Sequence, residues 1–175
     1  MKNVKKILIF SILATISCNN EKENPISSSQ LNINGLKKEI VYDKNIESYG
    51  VFLDISSNDT LNYESLPFSI LMANEQNPKA SVMVFVQMIE VFNKKKFTIK
   101  KFSDLPEANK DFALYYLKKG AEMGSVSGQV YLEEIYRKGI GVEKNEMKAD
   151  SILNVLRKQK GYKDEHRLTF PGMRE

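Results

Sequence analysis

The sequence predicts an all-α chain built of antiparallel helix pairs. Apolar residues between positions 112 and 156 fall at helical spacing in three blocks. The first holds Phe112, Tyr115, Tyr116, Leu117 and Ala121, the second Gly128, Leu132, Ile135 and Tyr136, the third Ala149, Ile152, Leu153 and Leu156. Glycines separate them, Gly124 after the first block and Gly139-Ile140-Gly141 after the second, where a chain leaving a helix favours a left-handed residue. A further pair of blocks lies upstream and sets Ala73 against Ala121, Ala80 against Gly128, Val84 against Leu132 and Met88 against Tyr136. One degenerate helix pair, one good pair and a closing helix are therefore expected.

The chain begins with Lys2, Lys5 and Lys6, an apolar run over residues 7–16, and then Ser17-Cys18. That run is about half of the ~20 residues a helix needs to cross a bilayer. A basic start, a short apolar run and a small residue before the cut describe a signal peptide over residues 1–17. The ending Thr15-Ile16-Ser17-Cys18 resembles the lipobox of bacterial lipoproteins, with Thr15 standing where Leu is usual. That resemblance implies acylation of Cys18, which becomes the new N-terminus; the alternative is an ordinary secretory signal with a chance Cys. Asn19 follows, not the Asp that retains many lipoproteins at the inner membrane, so an outer-membrane lipoprotein facing the periplasm or the cell surface is expected. Residues 18–30, polar with Pro25 and a serine run, read as a flexible tether.

Export also removes most of the net charge. The full chain has 26 basic and 22 acidic residues, and loss of the leader's three lysines leaves 23 against 22, a net +1. A basic isoelectric point therefore does not argue for nucleic acid, and none is expected as a partner. Cys18 is the one cysteine, so no intramolecular disulfide can form.

The helical domain is expected over residues 31–160. Leu36, Ile40 and Val41 suggest a short helix within 31–42, despite the turn-like Asn34-Gly35. Ile46, Tyr49, Phe52 and Leu53 suggest another over 45–55, with Gly50 in its middle. Ser65-Leu66-Pro67 reads as a helix start with proline in the first turn. Asn77-Pro78 ends that helix, and the next, 79–92, is apolar on nearly every side. Residues 93–104 form an insertion before the helix that carries Phe112. The tail, 161–175, mixes Pro171, Gly172 and charge with Leu168, Phe170 and Met173; docked cap and loose end both remain open.

Over about a quarter of the chain the match to one known pattern is specific. Tyr116, Lys119, Ala121-Glu122-x-Gly124, Gln129, Leu132, Tyr136, Gly139-x-Gly141-Val142 and Lys148-Ala149 resemble the Sel1-like repeat, a relative of the tetratricopeptide repeat. The resemblance implies a right-handed αα-solenoid that acts as a protein-binding scaffold. By likeness to small exported Sel1-like proteins, it implies an immunity-type protein that neutralises a secreted toxin; the alternative is an envelope scaffold for a secretion or signalling complex. Relatives linked to β-lactam binding carry a Cys pair in each repeat, which this chain lacks.

Two surfaces stand out as candidate sites. Aligned on the repeat, Phe85, Ile89, Gln129, Glu133 and Arg137 are expected to share the concave face, an apolar centre with a polar flank that binds the partner. The alternative is that the 45–55 helix packs over it. The second surface is the insertion, where Lys94, Lys95, Lys96, Lys100 and Lys101 interleave with Phe97, Ile99 and Phe102. It could attract an acidic protein, anionic lipid or wall polymer, but charge runs usually face water, so a solvated loop pinned by its aromatics is the expectation. No enzyme is expected. Glu133–Glu134 and Asp164–Glu165 are neighbours whose side chains point apart, and neither pair is supported by a base. His166 has no partners nearby in sequence, so neither a catalytic triad nor a metal or other cofactor is expected. Gly139 and Gly141 are turn residues, since the strand and the Lys-Ser/Thr of a phosphate loop are missing.

Overall fold

A computed structural model of the chain describes residues 28–57, 62–159 and 162–173, and among these all regular structure is helical, with no strand. The expected signal peptide, Cys18 and most of the tether lie outside the described residues. The last three tether positions, 28–30, are instead the first turn of α1, Ser28–Lys38. This helix absorbs Asn34-Gly35 and passes into a five-residue π-helix, Glu39–Asp43, so the expected short helix is longer and starts earlier. Lys44, left-handed at φ 53°, stops it.

Side-chain caps start most of the remaining helices. The Asn45 carboxamide oxygen accepts the backbone N–H groups of Glu47 at 2.9 Å and Ser48 at 3.1 Å, satisfying donors at the head of α2, Ile46–Ser57. Asn77 accepts the Ala80 N–H at 2.9 Å at the start of α4, Pro78–Asn93, where Pro78 in first position forfeits an N–H with no helical partner anyway. Ser125 caps α6, Val126–Lys138, through the Gly128 N–H at 3.2 Å, and Asn145 caps α7, Glu146–Arg157, through the Lys148 N–H at 2.9 Å. Helix α5, Glu107–Glu122, follows Pro106.

Helix α3, Asn62–Asn74, corrects an expected boundary. It begins nearly a turn before Ser65 and runs through Pro67, which removes one i→i−4 bond from its interior. Tertiary contacts hold the extra turn: Glu64 pairs with Lys37 of α1 at 2.6 Å, and the buried Ser65 hydroxyl accepts Gln87 Nε2 of α4 at 2.7 Å.

Each helix packs on its successor, from α1 against α2 through to α6 against α7. Helix α4 is central. Ala80, Ser81, Val82, Val84, Phe85, Gln87, Met88 and Ile89 are all buried along it, as its all-round apolar pattern requires. The residues matched between the two helix pairs are likewise all interior: Ala73, Ala80, Val84 and Met88 in one, Ala121, Gly128, Leu132 and Tyr136 in the other. At the expected stop after α6, Gly139 has φ +68° and Gly141 φ +65°. The N–H groups of Gly139 and Ile140 both reach the Ile135 carbonyl, which closes the helix end.

Two helical glycines differ sharply in what surrounds them. A Cβ on Gly120 would stand 2.9 Å from Val82 Cγ2 and 3.1 Å from the Pro78 carbonyl oxygen, whereas one on Gly50 meets nothing within 4 Å. Gly120 is therefore small because α4 and α5 touch there, and Gly50 is merely a weak helix residue. Gly120→Ala should cost about 1–3 kcal/mol through overpacking, and Gly50→Ala should add about 0.5–1 kcal/mol, both read by denaturant unfolding. Equal stabilities for the two variants would contradict this packing.

Candidate functional site

The 93–104 insertion is the most distinctive part of the structure. Lys94, at φ 51°, ends α4, and the chain then crosses to a short 3₁₀-helix, Ile99–Asp104. Phe97, Ile99 and Phe102 are buried, while Lys94, Lys95, Lys96 and Lys100 are exposed; Lys101 is partly covered and pairs with Asp104 at 2.9 Å. The Phe85 ring lies 5.9 Å from Phe97, 5.3 Å from Phe102 and 6.2 Å from Tyr131 of α6, with Phe97 and Tyr131 edge-to-face at 5.3 Å. Polar contacts pin the backbone as well. Glu90 accepts the Phe97 N–H at 3.0 Å, and Asn93 donates to the Lys101 carbonyl at 3.3 Å. The lysines thus stand on a fixed platform, which is the solvated, aromatic-pinned loop expected.

The tail completes this platform, a choice the sequence left open. After the 3₁₀-helix Asp164–Thr169, Phe170 packs on the core and Met173 is buried. Tyr131 donates its hydroxyl to the Pro171 carbonyl at 2.9 Å, and the Ile99 N–H donates to the Gly172 carbonyl at 3.1 Å. Gly172 has φ +72°, and a Cβ there would lie 2.4 Å from the Phe97 ring. Only glycine fits a strand of tail laid so closely over that ring. Between the insertion, α6 and the tail lies a cleft of about 470 Å³ with Lys100, Lys101, Lys138, Asp104 and Glu134 around it. Lys138 pairs with Glu134 at 2.5 Å, and hydrogen bonding and charge from Lys101 hold the Asp104 carboxyl below the usual carboxylate range. Cations and carboxylates alternate here, so the cleft carries no strong field of one sign.

The concave face expected from the repeat is not an exposed surface, and the expectation is corrected here. Phe85 and Ile89 are fully buried, Glu133 is 1% exposed and Gln129 7%. The Phe97 and Phe102 rings of the insertion, with Tyr131 of α6, pack over Phe85. A partner therefore cannot reach Phe85 without unseating Phe97 and Phe102. The polar residues of the set have internal duties. Gln129 donates to the Ala121 carbonyl at 3.0 Å and accepts from Gln159 at 2.8 Å. Arg137 pairs with Glu133 one turn back and with Asp150 of α7 at 2.8 Å. They tie α6 to α5 and α7, because a buried carboxylate needs a cation and buried amides need partners.

Among the described residues no group of three or more His, Cys, Asp or Glu side chains converges as a metal site, and no helix is long and apolar enough to cross a membrane. His166 falls in the 3₁₀ turn of the tail. Comparisons with protein-family models, with curated proteins and with solved structures return no significant match.

Burial pushes the Tyr131 hydroxyl up to about 12 from its ordinary 10.0. Between those values the unfolded chain has released this proton while the folded chain keeps it, so stability falls as pH rises through the window. For one such group the slope is at most ~1.4 kcal/mol per pH unit. Tyr131→Phe should make stability measurably less pH-dependent between about 10 and 12, by up to that amount, while below that window its cost is only the lost bond to Pro171. Urea unfolding of both proteins across this range checks it.

Proposed function

We propose that this chain is a lipid-anchored protein-binding module of the bacterial envelope, built on a Sel1-like αα-solenoid, and that it presents the basic insertion to its partner. The anchor rests on the short leader ending at Ser17-Cys18. The Sel1-like reading rests on the quoted motif residues and on helix pairs that pack in sequence, with Gly139 left-handed at the repeat boundary. In its most concrete form the protein is an immunity-type partner that masks a secreted toxin; a scaffold in an envelope complex is the second reading.

One observation carries the choice of surface. Lys94, Lys95, Lys96 and Lys100 are exposed on a backbone held by three buried apolar side chains and by the tail. A fixed cluster of cations binds an acidic surface at lower entropic cost than a mobile loop would. With the face over Phe85 closed, this platform replaces it as the binding surface.

Two experiments test the parts separately. In the native cell, Cys18→Ser should block maturation and release the protein from the detergent phase, because two or more acyl chains hold a protein stably in a membrane. Normal maturation and membrane retention of that variant would remove the anchor. For the surface, the anchored protein should capture its partner from native extracts, with mass spectrometry identifying it. Reversing Lys94, Lys95 and Lys96 to Glu should then slow association by about tenfold or more at low salt, an effect that shrinks as salt is added. Unchanged association at every salt concentration would refute the basic platform.

A further inference from the structure

The cleft of about 470 Å³ between the insertion, α6 and the tail is walled by segments that meet only in the folded chain. Ile99 opens the 3₁₀-helix, Ile140 lies just past α6 and Met173 belongs to the tail, and together they give the cleft an apolar lining. Lys100, Lys101 and Asp104 of the insertion face it with Glu134 and Lys138 of α6, three cations against two carboxylates. Its volume is within the usual range for a small-molecule site.

Reachable donors outnumber reachable acceptors there. An ammonium carries three N–H donors, whereas a carboxylate only accepts. Lys101 makes one ion pair, with Asp104 at 2.9 Å, and Lys138 makes one, with Glu134 at 2.5 Å. Both lysine side chains are open to solvent, at 40% and 56%. Exposed ion pairs of this kind contribute little, so each ammonium can take a second anion without a large loss. The carboxylates offer less. Glu134 is 5% exposed, which puts it out of a ligand's reach, and Asp104 already holds Lys101.

We propose that this cleft binds a carboxylate carried on a short apolar group, with the carboxylate on Lys101 and Lys138 and the apolar part against Ile99, Ile140 and Met173. Charge-assisted bonds from two ammonium groups fix the acid end, and burial against three apolar side chains holds the other. An ammonium ligand would meet two cations and a single reachable carboxylate. A small inorganic anion would leave the apolar lining unused. Two sources share this chemistry, a free aliphatic acid and the C-terminal residue of a polypeptide. The inference goes beyond the role assigned to Lys94, Lys95 and Lys96 and does not rest on it, since none of the three lines the cleft.

Calorimetric titration of the full chain at neutral pH and low salt tests it, with hexanoate, n-hexanol, acetate, N-acetyl-leucine and N-acetyl-leucine amide as probes. At least one of the two larger acids should bind about tenfold tighter than its uncharged counterpart, hexanol or the amide. The tighter of the two identifies the source. That acid should also exceed acetate by about tenfold or more, because only a longer ligand reaches the apolar lining. Lys101→Gln should weaken it by about tenfold, and Lys138→Gln should do the same, while Lys138→Arg keeps the charge and retains binding. Lys101 lies in an exposed pair, so its variant keeps the test valid even where Lys138→Gln unfolds. Reversing Lys94, Lys95 and Lys96 to Glu should change the affinity by less than about threefold, as a distant and screened effect. No binding by either larger acid, acetate or the uncharged probes binding as tightly, or an affinity unchanged by Lys101→Gln would each overturn the site. So would a loss on reversing Lys94–Lys96 as large as that from Lys101→Gln.

Discussion

The structure depends on the packing of aromatic rings around Phe85. This ring sits in the middle of α4 and is met by Phe97 and Phe102 from the insertion and by Tyr131 from α6, with Tyr131 in turn meeting Phe170 of the tail at 6.4 Å. Each such pair contributes about 0.5–1.5 kcal/mol beyond its buried area. Their larger effect is topological. Without Phe85 the insertion would have no interior anchor, and without Phe97 the tail would have nothing to cross at Gly172. Three segments distant in sequence become one surface because they share one cluster of rings.

Much of the helical frame was legible in the sequence, for local reasons. Asn77-Pro78, Ser125 and the Gly139 turn mark helix ends through hydrogen bonds and backbone angles that involve only near neighbours. The start of α3 was not legible, because Lys37 and Gln87, both far from it in sequence, hold its first turn. Nor was the docking of the tail, whose isolated Leu168, Phe170 and Met173 have no periodicity. Gly172 was the available signal: a glycine between Pro171 and Met173 suggests a close crossing, but its necessity shows only once the Phe97 ring lies 2.4 Å from where a Cβ would be.

The misplaced concave face has the same origin. Spacing put Phe85 and Ile89 on one side of α4, and they do share an interior. Helical periodicity identifies a face without saying what covers it, and a twelve-residue insertion carrying three large apolar side chains was the available cover. The lysines interleaved with those side chains are the consequence. Alternation of buried aromatics with charged residues turns one strand of chain into a lid on its inner side and a cationic rim on its outer side. The groove is closed and the rim is exposed.

The same lid also borders a second cleft of about 300 Å³, lined by Phe97 and Lys96 together with Gln87 and Glu90 of α4. A loop that merely floated would support neither surface. Native-state hydrogen exchange at the Ile99 amide, which donates to the Gly172 carbonyl, tests this most directly. If the insertion and tail belong to the core through the Phe85 cluster, Ile99 should open with a free energy close to that of Val84 in α4 and Val130 in α6. Exchange at Ile99 near the rate of an unprotected amide, with α4 and α6 still protected, would contradict the shared core.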